Sequence, residues 1–121
     1  MEIGQSAELR RRIGAAELAG FAALSGGPVP RHVPGPMLAA LVSHLLGVEL
    51  PGPGTNYLKQ DLAFPAPAPP DTELTARVEI TRLRPESRLV DLWASCRLPD
   101  GTVVCEGRAL VKAPAEAFCR S

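Results

Sequence analysis

The strongest constraint in this chain is a two-residue periodicity that recurs three times in its second half. Leu74, Ala76, Val78 and Ile80 alternate with Thr75, Arg77, Glu79 and Thr81. Val90, Leu92, Ala94, Cys96 and Leu98 repeat the pattern, and so do Val103, Cys105, Gly107, Ala109 and Val111. Side chains alternate faces along a strand, so each run predicts a strand with one apolar face. Pro85-Glu86-Ser87 and Pro99-Asp100-Gly101 separate the runs with turn-forming residues. The product is an antiparallel meander whose apolar face needs a cover.

The first half supplies that cover. Residues 37–46 are apolar nearly all round, broken only by Ser43 and His44, and predict a helix buried on most sides. It opens at Pro36 or Met37, where proline in a first turn is tolerated, and Gly47 ends it. Residues 14–24 predict an earlier helix, stopped by Ser25-Gly26-Gly27, and residues 6–13 an opening strand. Pro28, Pro30, Pro34 and Pro36 hold the stretch between the helices extended. After the rigid turn Pro51-Gly52-Pro53-Gly54, residues 55–64 predict the first strand of the sheet half. Residues 65–70 form a proline-alanine linker too short to separate domains, and residues 113–121 read as a loose tail. The expectation is one α+β domain over residues 1–121, an antiparallel sheet around a central helix.

Charge narrows the function classes. Thirteen basic residues offset thirteen acidic ones, which argues against a nucleic-acid partner or an anionic membrane. The apolar run 36–48 is short of the ~20 residues that span a bilayer, and the N-terminus has no signal-peptide pattern. A soluble, cytoplasmic protein is expected. Cys96, Cys105 and Cys119 are odd in number and lack zinc-site spacing, so they read as reduced thiols, Cys96 and Cys105 as small buried hydrophobes. No metal or cofactor is called for.

A resemblance carries the reading further. The stretch Leu50-Pro51-Gly52-Pro53-Gly54-Thr55-Asn56-Tyr57-Leu58-Lys59-Gln60-Asp61-Leu62-Ala63-Phe64 resembles the helix exit and following strand of the MaoC-like, (R)-specific enoyl-CoA hydratases. Residues 69–76 resemble that family's next turn and strand, and Asp100-Gly101 with residues 104–109 its last hairpin. The likeness runs from about Gly4 to Lys112. It implies a hot-dog fold, a metal-free hydration of trans-2-enoyl thioesters to (R)-3-hydroxyacyl thioesters or the reverse, and an acyl-CoA or acyl-carrier-protein substrate. It also implies a dimer, because family sites resemble clefts at subunit contacts.

The catalytic segment departs from the family. There it resembles Ser-Gly-Asp-x-Asn-Pro-x-His, whose Asp and His act on one water while a backbone N–H polarises the thioester carbonyl. Here Ser25, Gly26, Pro30 and His32 match, but Gly27 stands at the aspartate position and Val29 at the asparagine position. Only Val33 and Pro34 separate His32 from Gly35, so a further helical stretch is missing, with Pro34 where the family has a second histidine. In a second alignment His32 belongs to the lead-in of Gly35 and has no catalytic counterpart.

His32 and Gly35 are therefore the candidate catalytic residues: His32 as acid–base group, Gly35 N–H as oxyanion donor, with Met37 N–H the next donor because Pro36 has none. Asp61 and Glu49 are the carboxylates that could replace the missing aspartate; both otherwise read as solvated. His44 reads as a capping or core histidine and Ser43 as packed inside the helix. Arg82, Arg84 and Arg88 flank a turn and are candidates for CoA phosphates or an acidic carrier surface. Trp93, on one face with Leu89, Asp91 and Ser95, is a candidate dimer contact. Three functions follow: a hydratase or dehydratase; a non-catalytic subunit that binds acyl chains or pairs as a heterodimer with a full-length homologue; and, last, a hot-dog thioesterase, disfavoured because residues 37–46 carry no carboxylate.

Overall fold

The computed structural model describes residues 1–118. The elements run β1 (Ser6–Arg12), α1 (Ala15–Ser25), α2 (Gly35–His44), β2 (Asn56–Ala63), β3 (Glu73–Arg84), β4 (Leu89–Arg97) and β5 (Val103–Lys112). A wide π turn, Leu45–Glu49, extends α2, and a 3-10 turn, Ala115–Phe118, follows β5. The strands form a single antiparallel sheet in the order β1-β3-β4-β5-β2.

The periodicity fixes which face is dry. Leu74, Ala76, Val78 and Ile80 on β3, and Val90, Leu92, Ala94 and Cys96 on β4, are all buried on the face that meets α2. Leu38, Leu41 and Val42 of α2, with Leu45 and Leu46 just beyond, close onto it. Each buried leucine contributes about 1.5–3 kcal/mol relative to an exposed one. This is the α+β hot-dog arrangement, a sheet wrapped on a central helix.

Three local expectations change. The β4–β5 register slips between Cys96 and Arg97, so Val103 is only half-buried while both Val104 and Cys105 are buried. A bulge of this kind breaks strict alternation, which the sequence pattern had assumed. The central helix is buried on one side only: Ala40, Ser43 and His44 are exposed, because the sheet covers a single face of it. The segment expected to be loose is tied down as far as Phe118. Ala113 N–H donates to the Arg88 carbonyl at 2.9 Å, and Ala117 and Phe118 pack on the core. Residues 119–121, including Cys119, lie outside the described residues.

The helix ends follow their residues. Gly26 adopts the left-handed conformation that closes α1, its N–H donating to the Ala22 carbonyl. At the other end Glu17 reaches back to accept from Gly14 N–H at 2.8 Å. Among the described residues no helix is long and apolar enough to cross a membrane.

Candidate functional site

The site is built where the proline-rich stretch delivers the chain into α2. Val33 is buried, and its N–H donates to the Ala68 carbonyl at 2.8 Å, which pins this stretch to the β2–β3 connection. Pro34 then serves as the helix N-cap, and Gly35 begins the helix. Met37 N–H donates to the Pro34 carbonyl at 3.0 Å and Leu38 N–H to the same oxygen at 3.3 Å. The alternative donor Met37 is thus already engaged. Pro36 has no N–H, and no partner for Gly35 N–H occurs among the described residues. Gly35 N–H is thus the one left without a protein partner among the described residues, at the positive end of α2.

Phe64, one residue past β2, closes over that glycine. A Cβ on Gly35 would lie 3.0–3.3 Å from three atoms of the Phe64 ring. A side chain at this position would therefore have to push the Phe64 ring aside. Phe64 belongs to the motif quoted from the sequence, but its contact with a residue 29 positions away was not legible there.

The acid–base half is less complete. His32 is exposed, three residues before Gly35, a separation of about 10 Å at full extension. No carboxylate contact to it occurs among the described residues. Asp61 does not face this site. It sits opposite Arg108 on the outer face of the sheet, in a cleft of about 490 Å³ with Lys59, Arg84, Asp91 and Arg108. Glu49 lines a separate cleft with Met1, Glu2 and Gln5. The carboxylate that the structure sets beside α2 is Glu17, in a cleft of about 170 Å³ with Arg11, Met37 and Ala40. Its hydrogen bond from Gly14 N–H lowers the pKa of its carboxyl. Among the described residues no cluster of His, Cys, Asp and Glu is arranged to hold a metal ion.

The remaining candidates separate. Arg84 is engaged: its Nη2 lies 2.6 Å from Asp91 Oδ2, while Arg108 Nη2 holds the other carboxylate oxygen at 3.0 Å. Asp91 is 2% exposed under this pair. Arg88 instead shares a cleft of about 230 Å³ with Lys112, Gly54 and Asn56. Arg82 is exposed. Trp93 is 43% exposed on the outer face between buried Asp91 and Ser95. His44 and Ser43 are exposed on the uncovered side of α2 rather than packed. Thr55 Oγ1 and Tyr57 OH are buried with no partner among the described residues. Burial pushes the Tyr57 hydroxyl up, with a smaller contribution from Cys105.

A five-stranded antiparallel sheet wrapped on a central helix defines the hot-dog class of α+β proteins. The chain is 40% identical to the (R)-specific enoyl-CoA hydratase of Aeromonas caviae over 129 aligned positions, covering 94% of this chain and 96% of the relative. It superposes on the solved structure of an (R)-hydratase from A. caviae with a TM-score of 0.89, covering 94% and 98% of the two chains at 40% identity. The R-hydratase PhaJ1 of Pseudomonas aeruginosa gives a TM-score of 0.87 at 31% identity, over 94% and 83%. No protein-family model matches the chain. The chain belongs to the (R)-specific enoyl-CoA hydratase family, the MaoC-like hydratases. The A. caviae alignment, at 129 positions, is longer than the 121 residues of this chain, so the relative carries residues that this chain lacks.

Proposed function

We propose that this protein acts on 2-enoyl or (R)-3-hydroxyacyl thioesters, carrying the carbonyl-polarising half of the hydratase site on Gly35 and a reduced acid–base half on His32. The observation that carries it is the unengaged Gly35 N–H at the start of α2, under the Phe64 ring. In hydration, a water oxygen bonds to C3 of the enoyl thioester as His32 takes the water proton. The electron pair of the double bond shifts onto the thioester oxygen, where Gly35 N–H stabilises it. The proton then passes to C2, so one water is added and nothing else is consumed. Preorganised donors of this kind contribute about 10²–10³ in rate each, and a general acid–base group about 10²–10⁴.

The substrate is an acyl thioester of CoA or of acyl carrier protein. Arg88 and Lys112, which share a cleft, are the basic residues we assign to its phosphates; Arg84 is already spent on Asp91. The homodimer forms along β2. The other edge strand, β1, carries Arg10, Arg11 and Arg12, and charges on an edge oppose pairing. β2 carries fewer charges, Lys59 and Asp61, and presents Leu58, 50% exposed, at a bulge. The chain lies in the cytoplasm as one domain.

Chiral analysis of the product formed from crotonyl-CoA tests the function. The expected product is (R)-3-hydroxybutyryl-CoA; formation of the (S) product, or of free crotonate, contradicts it. A second reading has its own observation: neither Asp61 nor Glu49 lies beside His32. On that reading the chain is a binding subunit that pairs with a full-length homologue supplying the Asp and His. Rate gained only on mixing with such a homologue supports it.

A further inference from the structure

The β4–β5 ladder sets two thiols against each other. Cys96 and Cys105 are direct partners in the register, and both are fully buried. Residues opposite one another on antiparallel strands have Cα atoms about 4.5–5.5 Å apart, and a disulfide spans about 4.4–6.8 Å. Each thiol is the strongest influence on the other: the neighbouring Cys96 draws the Cys105 thiol down against its burial, and the neighbouring Cys105 raises that of Cys96. Cys105 is thus the sulfur that ionises first, and the thiolate is the species that oxidants attack.

Position in the ladder supplies access. The pair is the last one before the register slips between Cys96 and Arg97, and a tight turn follows, with Gly101 N–H donating to the Leu98 carbonyl at 2.9 Å. Ladder ends beside turns open locally at lower free energy than strand centres. The pair also touches the helix that carries the site. Cys96 Sγ lies 3.9 Å from the carbonyl oxygen of Leu38, in the first turn of α2 and three residues from Gly35.

We infer that Cys96 and Cys105 are a cross-strand dithiol that hydrogen peroxide converts to a disulfide, and that the first turn of α2 senses the change. The Cys105 thiolate attacks one peroxide oxygen; an S–O bond forms, the O–O bond breaks, and the departing hydroxide takes a proton to become water. Cys96 sulfur then attacks the resulting sulfenic acid; the S–S bond forms, the S–O bond breaks, and the hydroxyl leaves as water with the Cys96 proton. Two thiols are oxidised and one peroxide is reduced to two waters. Cys96 then has no S–H to offer the Leu38 carbonyl. None of this depends on the substrate.

The test uses the full chain carrying Cys119→Ser, so that one pair of thiols remains. It is treated with hydrogen peroxide, blocked with a maleimide, and analysed by intact mass and peptide mapping. The expected result is a loss of about 2 Da, the mass of the two hydrogens removed, in a Cys96–Cys105 cross-linked peptide that dithiothreitol reverses. Faster or slower amide exchange across residues 35–42 should accompany it. Cys96→Ala and Cys105→Ala should each abolish the mass loss. Sulfinic acid without a cross-link, a cross-link between two chains, or two maleimide-reactive thiols after peroxide overturns the dithiol. A disulfide with unchanged exchange at 35–42 overturns its coupling to α2.

Discussion

At Gly35 two demands meet, an open N–H and the absence of a side chain. Gly35→Ala keeps the N–H but puts a methyl against Phe64. Phe64 is about half exposed and its ring can turn aside, so the expected destabilisation, followed by urea unfolding, is at the low end of the ~1–3 kcal/mol range for overpacking. Turnover is expected to fall more than stability does, and Phe64→Ala in the same chain should restore stability without restoring turnover. Tyr57 offers a different residue-scale prediction. Its hydroxyl is buried without a partner among the described residues, and burial raises its folded pKa. The stability that comes from keeping it neutral is present below the usual tyrosine value of about 10 and is lost as pH rises through the higher folded value. Tyr57→Phe should leave stability at neutral pH unchanged or higher and flatten the alkaline fall, read as the urea midpoint between about pH 8 and 11. Gly35 and His32 were singled out in the sequence because the resemblance reaches them. The contact of Phe64 with Gly35 was not, because no local pattern reports a meeting between a helix start and a strand end.

Among the elements, the strands were the most legible part of the chain, since an apolar residue at every second position has one physical explanation. What the pattern missed is where a strand departs from regularity. The slip after Cys96 moves Val103 off its expected face, and a bulge interrupts β2 between Tyr57 and Lys59. Gly107 is a second example. It read simply as one more inward position, yet a Cβ there would fall within 3 Å of the Asp61 carbonyl and of Leu62 on β2. Gly107→Ala is therefore expected to cost about 3 kcal/mol or more by pushing β2 off β5, and hence to move Phe64 as well. The buried Asp91 likewise read as one of several outward positions. Its two arginine partners come from β3 and β5, which only the folded sheet brings together. Asp91→Ala leaves Arg84 without its partner and should cost about 2–3 kcal/mol in the same measurement, less than a fully buried pair because Arg108 is largely exposed. The central helix was right in place and wrong in surroundings: its apolar composition does not reveal that the sheet covers only one side.

On the scale of the whole molecule, the chain combines a family fold with a shortened site. Overall layout was readable because the helix and meander have few ways to bury each other. The completeness of the site was not, because it depends on where Asp61 and Glu49 end up. Both point elsewhere. Assembly is a further expectation at this scale: Leu58→Arg should shift the protein from dimer to monomer in sedimentation, whereas Arg11→Leu on the opposite edge should not. The proposed site keeps a polarising group and reduces the acid–base group to His32. Steady-state hydration of crotonyl-CoA, followed as loss of its conjugated ultraviolet absorbance, tests this most directly with His32→Ala beside the parent chain. The expected turnover is about 10²–10⁴ below that of the A. caviae relative, falling steeply again in His32→Ala. Turnover equal to the relative's, or a rate indifferent to His32→Ala, would contradict it.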